Sequence, residues 1–79
     1  MNYDLAMMVL EGLSRSPISI RIDGNEVRFE GSAEGFKELA RLFLLLGGEG
    51  VENGESLELS PGIHIEKESP RVRMVLSNP

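Results

Sequence analysis

Gly31-Ser-Ala-Glu-Gly-Phe-Lys-Glu-Leu-Ala-Arg-Leu-Phe-Leu-Leu-Leu-Gly47 decides the fold, because it is the longest clean helical pattern in the chain and holds its densest apolar cluster. Ser32 can accept a hydrogen bond from a first-turn amide that the helix itself leaves unpaired. Glu34 lies at the positive end of the helix dipole, and the Gly47-Gly48 pair can adopt the left-handed conformation that stops a helix. The spacing predicts a core stripe of Phe36, Leu39, Ala40, Phe43 and Leu46, with Glu34, Lys37, Glu38 and Arg41 on the other side. Leu44 and Leu45 break the polar side, so the last two turns are apolar nearly all round and need a cover.

Upstream, residues 3–14 read as a short helix. Tyr3, Ala6, Leu10 and Leu13 share one face, Leu5, Met8 and Val9 widen the stripe, and Gly12 weakens the end. Ser16-Pro17 stops it, since a residue before proline is pushed out of the helical region. Each helix carries more apolar surface than one packing face uses, which predicts that the two cover each other. The alternative is self-association through Met8, Val9, Leu44 and Leu45.

Between the helices, Ile18-Ser-Ile-Arg-Ile22 and Asn25-Glu-Val-Arg-Phe-Glu30 alternate around Asp23-Gly24 and read as a β-hairpin. A turn at Asp23-Gly24 sets Ile20 opposite Val27 and Ile18 opposite Phe29 inside, with Arg21 opposite Glu26 outside. Downstream, Gly48–Ser56 has three acids, three glycines and no base, and reads as a mobile loop. Leu57–Glu66 reads as one strand kinked at Pro61, with Leu57, Leu59, Ile63 and Ile65 inward. After Ser69-Pro70 comes a strand with Val72, Met74 and Leu76 inward. The expected pairs are Ile65 with Val72, Ile63 with Met74, Glu66 with Arg71 and His64 with Arg73. The sum is one α+β domain over residues 1–79, in the order αββαββ: a two-layer structure with a four-stranded, mainly antiparallel sheet and both helices on one face.

Composition narrows the chemistry. The 79 residues include no cysteine, which excludes disulfides and thiolate metal sites and favours a reducing, cytoplasmic setting. No basic segment precedes the first apolar stretch and no apolar run approaches the length of a membrane span, so neither a signal peptide nor a membrane partner is expected. Thirteen acidic against eight basic residues give a net charge of -5, which disfavours nucleic acid as a partner.

His64 is the sole histidine, and Glu66 shares its strand face. One imidazole and one carboxylate make a poor metal site. Gly47, Gly48, Gly50 and Gly54 follow a helix rather than a strand, unlike a phosphate-binding loop. Ser32, Ser56 and Ser60 lack a histidine placed to activate them. A non-enzymatic protein without cofactor is the expectation. Glu49, Glu52, Glu55 and Glu58, with His64 and Glu66, form the candidate partner-binding set, suited to a basic cleft.

The segment Glu30-Gly-Ser-Ala-Glu-Gly-Phe-Lys-Glu-Leu-Ala-Arg-Leu-Phe-Leu-Leu-Leu46 resembles the strand, glycine and leucine-rich helix core of short bacterial immunity proteins, those of immunity family thirty-two in polymorphic toxin systems. Pro61-Gly62-Ile63-His64-Ile65, the following Ser-Pro element and Val72 to Leu76 are similar to the second half of that family, so that residues 18–77 are covered. Where the family tends to show a second histidine, this chain has Glu66. The resemblance implies a non-enzymatic inhibitor that binds and neutralises a cognate toxin.

Overall fold

The computed structural model describes residues 1–79, whose elements run α1 (Tyr3–Arg15), β1 (Ser19–Asp23), β2 (Glu26–Glu30), α2 (Ala33–Leu46), β3 (Ser56–Leu59) and β4 (Val72–Val75). The protein is α+β. Both helices start on a side-chain cap: Asn2 Oδ1 accepts from the Leu5 N–H at 3.1 Å, and Ser32 Oγ accepts from the Gly35 N–H at 3.1 Å. Asp4 in the first turn of α1 and Arg15 in its last complement the dipole. Gly47 ends α2 at a φ of -89°, and no residue after it is left-handed until Gly50. The helix therefore stops without the expected left-handed cap.

α2 is rotated from the expected stripe. Its buried residues are Gly35, Leu39, Leu42 and Leu46, while Phe36, Ala40 and Phe43 are exposed on one flank. Leucines occupy so much of the circumference after Leu39 that the apolar pattern alone does not fix the rotation. A contact invisible in that pattern does. A Cβ on Gly35 would lie 2.6 Å from the carbonyl oxygen of Ser16, so the glycine is where the start of α2 meets the segment leaving α1. Leu13, Ile18, Ile20, Leu57, Leu59, Ile65 and Ala6 complete the core around the leucines of α2. The helices pack on each other across Gly12 and Glu38, yet Met8 and Leu44 stay exposed, so their mutual cover is partial.

β1 and β2 form the expected hairpin with its register moved by two residues: Ile20 faces Phe29, Ile22 faces Val27, Arg21 faces Arg28 and Asp23 faces Glu26. The turn is Gly24-Asn25. Gly24 has a φ of 62° at the first central position, as a type II′ turn requires, and Asn25 keeps a negative φ; an Asp23-Gly24 turn of type I′ would have forced positive φ on an aspartate. A shift of two preserves the faces. Arg21 and Arg28 stand opposite each other on the wet face and are balanced by Glu30 at 3.5 Å and Glu26 at 3.1 Å.

The single four-stranded sheet is replaced by two two-stranded antiparallel sheets, β1-β2 and β3-β4. β3 ends at Leu59, and β4 pairs with it rather than with residues 63–66: Leu57 faces Met74, Glu58 faces Arg73 and Leu59 faces Val72. Pro61 is not a kink within a strand. Ser60-Pro61-Gly62-Ile63 closes a β-turn, with the Ile63 N–H donating to the Ser60 carbonyl at 3.1 Å and Gly62 at a φ of 79°, the proline-glycine order of a type II turn. Chain 60–70 then makes isolated bridges from Ile65 to Ile18 and Pro61. Ile65 is buried, whereas Ile63, expected inward, is exposed. The Glu66 N–H donates to the Ile18 carbonyl at 2.9 Å and buried Ser69 Oγ accepts from the Ile20 N–H at 2.9 Å, so this segment covers the outer edge of β1.

Candidate functional site

The acidic run does not form one free surface. Glu55 is the hub of an anchoring cluster: Oε1 accepts from the Met1 ammonium at 3.2 Å and the Tyr3 hydroxyl at 3.0 Å, and Oε2 accepts from the Glu52 N–H at 2.6 Å. Its carboxyl is held below the usual value, first by the Glu52 N–H, with the ammonium and the phenol adding to that against the opposing effect of burial. The same bond raises the Tyr3 phenol, whose proton the carboxylate holds. Glu58 is also engaged, with Arg71 and Arg73 each 3.4 Å from its Oε1. Glu49 and Glu52 remain exposed.

Loop 48–56 is tied at its distal end, not free throughout as the glycines suggested. The Gly54 N–H donates to the Leu76 carbonyl at 2.8 Å, the Leu76 N–H donates to the Glu55 carbonyl at 2.9 Å, and Asn53 Oδ1 accepts from the Asn78 N–H at 2.8 Å.

His64 has a structural duty. Its Nδ1 accepts from the Ser60 N–H at 3.1 Å and its own N–H donates to the Ser60 carbonyl at 3.0 Å, so the ring clamps the turn that contains Pro61. An Nδ1 that accepts is unprotonated, which places the neutral ring's proton on Nε2. Partial burial lowers the imidazole pKa from 6.5, against the pull of Glu58. Glu66 is exposed. No cluster of three His, Cys, Asp or Glu side chains could hold a metal ion.

The two depressed pKa values set separate pH windows. The neutral His64 contributes stability that is present above its unfolded pKa and is lost as pH falls from about 6.5 through the lower folded value. Ionised Glu55 contributes stability lost only as pH falls below about 4.5. Urea titrations across pH should show a first loss below about 6.5 that disappears in His64→Gln, and a second, more acidic loss that disappears in Glu55→Gln. A first loss that persists in His64→Gln would remove the imidazole as its origin.

The exposed apolar side chains make a stronger surface than the acids. Leu5, Val9, Leu44 and Leu45, with Arg41, line an open groove of about 310 Å³ between the helices, and Met8 lines the adjoining depression with Gly12, Arg15 and Glu38. Leu44 is 75% exposed. Thus Met8, Val9, Leu44 and Leu45, four residues singled out by excess hydrophobicity, do gather on one side of the helix pair. No protein-family profile, curated protein or solved structure matches this chain.

A second apolar surface escaped the periodicity argument. Val27 and Phe29 were expected inside, but every residue of β2 is exposed, and Ile22 beside them is 68% exposed. Only Ile20, at the base of the hairpin, reaches the core. Alternation shows which face of a hairpin is apolar; it carries no information on how far along the hairpin other elements extend to cover it.

Proposed function

We propose that this chain is a non-enzymatic protein-binding domain whose partner is a cognate toxin presenting an apolar projection beside basic residues. The observation that supports this best is the groove of Leu5, Val9, Leu44 and Leu45, an apolar concavity at the surface of a domain with little core to spare. Loop residues Glu49 and Glu52 follow α2 and are free to steer a basic partner, while apolar contact in the groove supplies affinity. The toxin class comes from the immunity-protein resemblance.

The test is co-expression with the product of the neighbouring gene. Host survival should require this chain, and Leu44→Glu should abolish both protection and calorimetric binding while leaving the circular dichroism unchanged. A neighbouring product that is not toxic, or undiminished protection by Leu44→Glu, overturns the proposal. A second reading, that the same face pairs with a second copy, is favoured by the exposure of both Met8 and Leu44. It requires a dimer in sedimentation that Leu44→Glu dissociates.

A further inference from the structure

We infer that the outer edge of β2 is a self-association site, at which two copies pair antiparallel to make a four-stranded sheet ordered β1-β2-β2-β1. The two edges of the hairpin differ sharply. On β1, the Ile20 N–H and the Ile18 carbonyl point away from β2, to Ser69 and Glu66. Ile20 and Phe29 are therefore a non-hydrogen-bonded pair, and the alternation of an antiparallel ladder makes Arg21–Arg28 and Asp23–Glu26 the bonded ones. It follows that the N–H and C=O groups of Val27 and Phe29 point outward from β2, where no further strand lies. A two-stranded hairpin with an uncovered apolar face is marginal by itself, and added strands stabilise it.

The sequence of β2 selects both the occupant and the register. Registers that keep the apolar faces together place a two-fold axis through Val27, Arg28 or Phe29. The axis through Arg28 sets Arg28 against its own copy and Glu26 against Glu30 of the second copy, which is repulsive twice over. The axis through Val27 draws Asn25 out of the turn to bond with Phe29. The axis through Phe29 bonds the two Phe29 residues to each other and sets Arg28 opposite Glu30 of the second copy, twice by symmetry. Val27 then bonds with Gly31, which has no side chain to obstruct it. The strand is thus complementary to itself in charge and in hydrogen-bond register, as a two-fold interface demands. This site is separate from the helix groove, and either can fail alone.

Charge reversal with rescue tests it. Sedimentation equilibrium should show a micromolar dimer, weakened about tenfold or more in Arg28→Glu, where two ion pairs become two repulsions, and restored in the double variant Arg28→Glu with Glu30→Arg. Arg28→Glu converts the Arg21–Arg28 juxtaposition into an opposite-charge pair but gives up the Arg28–Glu26 ion pair at 3.1 Å, so an unchanged circular dichroism spectrum of the variant is required alongside the loss of dimer. Amide exchange at Val27 and Phe29 should slow as protein concentration rises. A monomer at millimolar concentration overturns the proposal. So does a dimer indifferent to Arg28→Glu, and one dissociated by Leu44→Glu alone moves the interface to the helices.

Discussion

Leu42→Ala is expected to cost about 3 kcal/mol, whereas Phe43→Ala beside it should cost on the order of 1 kcal/mol, although it removes more atoms. Leu42 is 0% exposed and Phe43 49% exposed. Truncating Leu42 leaves a cavity where α2 meets both sheets' buried residues, and a domain with ten residues in its core has few neighbours able to collapse into it. Phe43 loses only the half of its surface that folding covers. Against a total stability of roughly 5 kcal/mol, near the lower end for a chain this size, Leu42→Ala should populate the unfolded state at body temperature. Urea denaturation of both variants is the check. Equal losses would mean that α2 turns its phenylalanine flank inward and that the rotation described above is wrong.

That rotation marks where the sequence stops being legible. The helix positions and the N-cap of α2 were readable because Ser32 is a local signal acting within three residues; Asn2 caps α1 in the same way but was not read as a cap. The faces of β1 and β2 were readable for the same reason, and the two-residue register shift left them intact. What failed was the choice between competing local turns, and every contact that spans the chain. Gly24-Asn25 and Asp23-Gly24 are both acceptable turns, and the choice rests on which residue takes positive φ. Residues 57–66 look like one strand by alternation, but Ser60, Pro61 and Gly62 satisfy a tight turn locally, which leaves β4 to pair with β3. Of the candidate site, the apolar set on the helices was visible as surplus hydrophobicity. The engagement of Glu55 with Met1 and Tyr3 spans more than fifty residues and has no local trace.

Two glycine-to-alanine changes should move stability in opposite directions, and the contrast isolates close approach from helix propensity. Gly12→Ala lies within α1, where alanine gains up to about 1 kcal/mol. Its new Cβ would meet the Glu38 carboxylate at 2.8 Å, but that group is the far end of a flexible, half-buried side chain and can turn outward. The loss is at most the ion pair between half-buried Glu38 and exposed Arg41, worth about 0.5 kcal/mol. Gly35→Ala gains less, being in the first turn of α2, and its Cβ would sit 2.6 Å from the Ser16 carbonyl oxygen and 3.0 Å from Ile18 Cγ2. Neither obstacle can yield: Ser16 caps α1, and Ile18 is fully buried and bridged to Ile65. α2 must instead shift away from the core its leucines fill, at a net cost of about 2 kcal/mol. Thermal unfolding should show Gly35→Ala melting on the order of 10 °C below the parent and Gly12→Ala at or slightly above it. If Gly35→Ala were neutral, the start of α2 would not pack against the Ser16–Ile18 segment, and the contact that sets the helix's rotation would be absent.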